Sequence, residues 1–339
     1  MKIAVVYNSP TGGVFQRRGP RAQEVCSQHN LERIVDALKE NGHEVAAIDA
    51  DRNLIEKLET FFSPLQEGEW PGLVFNIAFG LQGQLRYCHV PALLDMLGLP
   101  YLGSGPLGQA LASDKAAAKA IFIHSGLPTP DFILAHDTDF AAPDFGYPHV
   151  VKPVAEASSL GVCFVNNEKE MRQAVKDNLK RFRTPVMVER YVDGREINVS
   201  VIGNCPGTAL APVEVILGAE GPPIYTLEDK ECTANRRFDL LCPASIPASI
   251  AAEAQQFTIK AFNVLGCRDW ARVEMKLDEF YQLQLIELNT IPGLGAYSSL
   301  PASASHAGMV RLPMLVQRLV DVALERYGQR SEISKRAVS

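Results

Sequence analysis

The sequence predicts an α/β protein, and two patterns carry that expectation. Across residues 1 to about 105, short apolar strand-like runs alternate with helical patterns, as in an open parallel α/β domain. Far downstream, residues 270–277 and 286–289 alternate polar and apolar side chains with period two, around the turn-forming Asp278-Glu279, and the second run stops at Pro292-Gly293. This second pattern reads as an antiparallel hairpin.

Residues 2–7 form an apolar strand ending in Asn8-Ser-Pro-Thr-Gly-Gly13, a loop-forming cluster. The cluster is not Gly-x-Gly-x-x-Gly, so it gives no dinucleotide fingerprint. A loop through Arg17, Arg18 and Arg21 runs to about Cys26, a length that points to a functional or mobile segment. Its arginines have two readings, a site for an acidic substrate or solvated loop charge, and the second is the commoner. Leu31, Ile34, Val35 and Leu38 give a helix face, closed by Asn41-Gly42. Strands at 44–49 and 73–76 follow, then a Gly-rich loop at Gly80 and Gly83. A helix at 90–97 stops at Gly98, and a short strand spans 99–102.

Ser113-Asp114 caps a helix over 115–124, and Gly126 stops it. After a stiff linker at 127–130, a strand at 149–154 carries Lys152 directly before Pro153. The small-residue loop 156–161 then leads to a strand at 162–165. Such a loop can present N–H groups and hydroxyls to phosphate, or be a plain hairpin turn. A polar-faced helix at 168–179 precedes strands at 186–190, 197–202 and 209–216. An irregular polar stretch at 226–242 and an amphipathic helix at 250–265 lead into the hairpin. A helix at 309–327 closes the chain, and the tail from Ser331 is expected to fray.

Composition bounds the function. A chain of 339 residues holds two or three domains, and 47% apolar with 21% charged residues marks ordinary globular protein. A net charge of −6 argues against nucleic acid or an anionic membrane as the main partner. No apolar run is long enough to span a bilayer, and residues 2–7 are too short and strand-like for a signal peptide. The seven scattered cysteines, without Cys-x-x-Cys, fit reduced thiols in a cytoplasm. The seven histidines form no close pair, which argues against a His-built metal site.

The hairpin holds the candidate chemistry. Glu287 and Asn289 share one strand face, with Ile286 and Leu288 pointing the other way into a core. Arg272 and Glu274 share a face of the partner strand. A register pairing Glu274 with Glu287 gathers two carboxylates, an amide and a guanidinium, and facing carboxylates need a cation between them. The residues alone leave two readings: a solvated polar face, or a site for a hard cation such as Mg²⁺.

Read in order, these motifs form a series. It comprises Lys115 at a helix start, Lys152-Pro with a Ser-Ser-x-Gly loop, and Glu189-Arg190 with Glu196. Arg272-x-Glu274 and Glu287-x-Asn289-x-x-Pro-Gly complete it. The series resembles the ATP-grasp superfamily, and within it the D-alanine–D-alanine ligase group, from Lys2 to about Tyr327. The resemblance implies a three-domain α/β ATP-grasp architecture. An open parallel α/β domain (1–110) would precede small central (111–195) and C-terminal (196–330) α+β subdomains and a tail (331–339).

It also implies ATP as cosubstrate. Lys115 and Lys152 would contact its phosphates, Ser158 and Ser159 would cap them, and Lys230 would reach the γ-phosphate from a lid. Glu189, Arg190 and Val192 would line the adenine pocket, Arg190 standing where the family usually has Lys. Glu196 would bind the ribose. Glu274, Glu287 and Asn289 would hold two Mg²⁺, and Arg272 would stabilise charge developing on the transferred phosphoryl group. Gly293, Ser298 and Ser299 would meet substrate, and Glu24 would anchor the first substrate's amino group. Small-molecule carboxylate and amine substrates and a homodimer are implied as well.

Two segments depart from the group. Its His-Gly-x-x-Gly-Glu-Asp stretch is here Phe79-Gly80-Leu-Gln-Gly83-Gln84, with no His and no acid pair. The Tyr that follows its lid Lys is here Glu231. These changes point to another acid and amine pair, as in an amino-acid ligase of specialised metabolism. One example is the mycosporine type, which couples an amino acid to a mycosporine-glycine carboxylate. A true cell-wall D-alanine–D-alanine ligase and a catalytically silent ATP-binding module are the alternatives; the intact Arg272, Glu274, Glu287 and Asn289 set argues against silence.

Overall fold

The computed structural model describes residues 1–9, 14–15, 26–64, 68, 70–218, 223–224 and 238–337. The first layer is the expected parallel sheet. Its strands β1 (Lys2–Tyr7), β2 (Glu44–Asp49), β3 (Leu73–Asn76) and β4 (Tyr101–Leu102) lie in the order β2-β1-β3-β4, all parallel. Helices α1 (Gln28–Glu40), α2 (Leu54–Phe62) and α3 (His89–Leu97) connect them. Ser27 caps α1 by accepting from the Asn30 N–H at 3.3 Å.

Helix α4 (Pro106–Ser113) leads to α5 (Lys115–His124), where Asp114 accepts from the N–H groups of Ala116 and Ala117, both at 3.0 Å. The central sheet is antiparallel, ordered β5 (Phe132–Ala135), β8 (Val186–Arg190), β6 (His149–Pro153) and β7 (Cys163–Val165), with α6 (Glu168–Phe182) packed on it. The third sheet is also antiparallel. It runs β12 (Phe238–Leu241), β11 (Val213–Leu217), β9 (Arg195–Ile202), β13 (Trp270–Leu277), β14 (Leu283–Asn289), with β10 (Thr208–Ala209) beside β9. The strand expected at 209–216 is two pieces because Pro212 interrupts it.

Helix α7 (Ala248–Val264) covers the third sheet; α8 (Ser299–His306) and α9 (Leu312–Ala337) close the chain. The last helix is longer than its apolar pattern predicts, extending past Ser331 to Ala337. It packs back on the first layer: Leu315, Val316, Leu319 and Ala323 share a core with Ile3, Val5, Ile34 and Phe75. Arg326 fixes that return, donating to both oxygens of the fully buried Asp269 (3.0 and 2.9 Å) and to the Tyr101 carbonyl. No helix among the described residues is long and apolar enough to cross a membrane.

Candidate active site

A polar ladder crosses one face of the third sheet. On β9, Glu196, Asn198 and Ser200 alternate with the buried Ile197, Val199 and Val201. On β13 they stand beside Lys276, Glu274 and Arg272 in register. On β14, Glu287 faces Glu274 and Asn289 faces Arg272, as the alternation predicts.

One expectation fails here. Ile286 does not enter the core with Leu288; it is half-buried and lines a cavity beside Glu287. A β-bulge explains this. Glu274 pairs with Glu287 but Met275 pairs with Leu285, so Ile286 is the extra residue and turns to the same side as Glu287.

The carboxylates are held by their neighbours. The Asn289 amide donates to Glu274 at 2.9 Å and to Glu287 at 3.2 Å. Arg272 forms an ion pair with Glu274, and Lys115 Nζ lies 3.4 Å from Glu287. Two hard oxygen donors facing each other beside an amide fit a divalent cation such as Mg²⁺. Chelating clusters of three or more acidic, His or Cys side chains are absent among the described residues, so the amide is part of any such donor set.

The loop between β6 and β7 meets this face. Ser158 and Ser159 adopt left-handed backbone, φ 56° and 60°, which L-residues hold only under strain. They face different cavities. Ser159 lines one with Lys115, Lys152, Glu189, Glu196 and Ile286, and this cavity has an empty volume of about 840 Å³ counting its open mouth. Ser158 lines a second with Arg272, Asn289, Gly293, Ser298 and Ser299. Glu287 borders both. The loop is clamped from outside: Lys115 donates to the Glu156 carbonyl, and Arg86 donates to the Glu156 carboxylate at 3.0 Å.

At the deep end of the first cavity, Glu189 is 2% exposed between two buried ammonium groups. Lys119 Nζ is 2.5 Å from one carboxylate oxygen and Lys152 Nζ 2.6 Å from the other. Burial pushes the Glu189 carboxyl up, but the two cations pull harder and hold it below the ordinary range. Burial brings the Lys119 ammonium down to about 8, against the pull of Glu189.

This geometry has close parallels. The family model for the D-ala D-ala ligase C-terminus matches residues 121–321. A D-alanine–D-alanine ligase of Moorella thermoacetica is 31% identical over 335 residues, covering 96% of this chain and all of that one. The chain belongs to the D-alanine–D-alanine ligase family. It is therefore an ATP-dependent ligase that forms C–N bonds, in a family that uses ATP and Mg²⁺. An uncharacterized protein of Sinorhizobium fredii is 38% identical over 331 residues, with 96% of this chain and 98% of that one covered. A D-alanine–D-alanine ligase from Bacillus anthracis, complexed with ATP, superposes with a TM-score of 0.74 at 24% identity, over 97% of this chain and 99% of that one. That likeness carries the ATP-grasp fold.

The ligase family's series thus comes together in space. Lys115, Lys152, Ser159, Glu189, Arg190, Val192, Glu196, Glu274 and Glu287 line the first cavity. Ser158, Arg272, Asn289, Gly293, Ser298 and Ser299 line the second with Glu287. Ser298 Oγ packs so closely on Gly293 that a Cβ there would lie 2.7 Å from it. Glu24, Lys230 and Glu231 lie outside the described residues. Sequence reasoning missed Asn198, which borders both cavities and donates to Ser299 Oγ at 2.9 Å. The polar alternation of β9 carries that signal. It also missed Lys119, whose four-residue spacing from Lys115 reads as a solvated helix face.

Proposed function

We propose that this ligase activates a small-molecule carboxylate as an acyl phosphate and couples it to an amino acid in specialised metabolism, with the mycosporine type as an example. The observation that carries the reading is Glu287 at the border of both cavities, with Ser158 and Ser159 divided between them. Phosphates in one cavity would then meet the acid in the other at one carboxylate.

In the reading proposed, the acid's oxygen attacks the γ-phosphorus and ADP leaves. The amine nitrogen then attacks the acyl carbonyl, and inorganic phosphate departs. Lys115 and Lys152 would hold the phosphates, Ser158 and Ser159 would cap them, and Lys230 would close from above. Glu189, Arg190 and Val192 would take the adenine and Glu196 the ribose. Glu274, Glu287 and Asn289 would hold two Mg²⁺, which offset crowded phosphate and carboxylate charge. Arg272 would stabilise the charge that develops during transfer, and Glu24 would fix the first substrate's amine. Gly293, Ser298, Ser299 and Glu231 would contact substrate. A homodimer completes the proposal.

Phe79 and Gln84, where the family carries His and an acid, support a substrate other than D-alanine. The Moorella relative's name favours the second reading, D-alanine ligation. A phosphate-release screen over acid and amine pairs tests both. Robust dipeptide formation from D-alanine and ATP would overturn the first reading in favour of the second.

A further inference from the structure

The second cavity carries one cation that nothing described so far uses. His29, Asn30 and Arg33 occupy one face of α1, at the i, i+1 and i+4 positions of the helix, and all three line this cavity. The opposite face of α1 is the core face, with Leu31, Ile34 and Leu38 buried. Arg33 is half-buried and makes no hydrogen bond or ion pair among the described residues. The other arginine of the cavity, Arg272, is paired to Glu274, and the cavity's lining carboxylate, Glu287, faces Lys115 at 3.4 Å. Among the described residues Arg33 is therefore a cation without a protein counterion, in a chain whose net charge is −6. Phe79 and Tyr87 give the same cavity an apolar wall, packed edge to face at 5.6 Å.

A half-buried guanidinium that faces a cavity is matched by a ligand anion. The two carboxylates common to every such pair are placed elsewhere in the reading above: the reacting one beside Glu287, Asn289 and the phosphates, and the acceptor's α-carboxylate beside Gly293, Ser298 and Ser299. Resting on the ligase reading above, we propose that one of the two substrates carries an additional side-chain carboxylate, held by Arg33 with His29 and Asn30 beside it. Arg33 pairs bidentately with a carboxylate or a phosphate, and its single positive charge balances a carboxylate monoanion but not a phosphate dianion.

The test uses the full-length ligase with ATP, Mg²⁺ and phosphate release as the readout. In the acid arm, hydroxylamine serves as a universal amine and traps the acyl phosphate as a hydroxamate. Aspartate and glutamate are compared with alanine, asparagine and glutamine, in both D and L forms. In the amine arm, the same amino acids are offered as acceptors to the best acid. The expected result is a preference of about tenfold or more in kcat/KM for a dicarboxylic member over its amide in one arm, the scale of one charge-assisted hydrogen bond. Arg33→Gln should erase that preference by raising KM for the dicarboxylate, leaving KM for ATP unmoved, and Arg33→Lys should restore part of it. Turnover that favours the amides or alanine in both arms overturns the inference while the ligase reading stands. A preference that survives Arg33→Gln also overturns it. No phosphate release with these acids or with any pair of the wider acid and amine screen overturns the ligase reading and the inference with it.

Discussion

Glu189 is one carboxylate shared by two buried ammonium groups, and a double-mutant cycle on it tests the site directly. Glu189→Gln keeps the shape but removes the counterion of both Lys119 and Lys152, which stand 2.5 and 2.6 Å away. Uncovering a buried charge in this way costs about 3–5 kcal/mol. At about 2–4 °C per kcal/mol, the melting midpoint should fall by roughly 6–20 °C. Lys119→Met removes the ion pair to Glu189 and the bonds to Thr129 Oγ1 and the Leu285 carbonyl but leaves the Lys152 pair, a cost of about 2 kcal/mol or more. The two changes together should cost less than their sum, by about 1–3 kcal/mol, because Lys119→Met removes an ammonium that Glu189→Gln leaves stranded. Thermal melts of the four proteins measure this, and KM for ATP should rise in both single variants. Additivity within about 0.5 kcal/mol, with KM for ATP unchanged, would show that the cluster is not the unit described.

Glu287→Gln should lower kcat about 100-fold or more by removing an oxygen donor between the two cavities, and chelation with EDTA should stop phosphate release until Mg²⁺ is restored. Full activity of this variant would refute the metal role. Gly80→Ala would set a Cβ 1.9 Å from the Arg86 carbonyl oxygen at φ +80°. A loss of about 2 kcal/mol or more is expected, with a weaker KM for the acid because Tyr87 follows Arg86; unchanged melting would count against that contact. Arg326→Met leaves Asp269 buried without its bidentate partner, so the midpoint should drop by an amount matching about 3–5 kcal/mol. A drop of only a degree or so would mean that the closing helix is held by its apolar face alone.

Much of this arrangement is legible in the residues. The parallel first layer follows from its alternation of strands and helices. The Glu274–Glu287 register follows from side-chain alternation, since a one-residue slip would turn Glu287 inward. The bulge is not legible, because β14 pairs along its whole length while one residue is spilled, and that outcome depends on how β13 is already held by β9. Helix α4, Pro106-Leu-Gly-Gln-Ala-Leu-Ala-Ser113, escaped notice because it is short and Gly-bearing, and its buried residues include Gly108 and Gln109 rather than an apolar stripe. Lys119 and Arg33 lie on helices whose own residues say nothing of what faces them. Their environments are made by β8 and by the loop after β14, which lie far along the chain.

The spilled residue on β14 has a wider effect. Ile286 on the bulge faces only the cavity proposed for the nucleotide, while Glu287 and Asn289 beyond it reach the cavity proposed for the reacting groups. Ile286 and Glu287, neighbours in the chain, thus share the first cavity, and Glu287 alone of the two also borders the second. Removing the extra residue to restore regular pairing would turn one side of the bulge over relative to the other, so such a change should disturb both cavities at once.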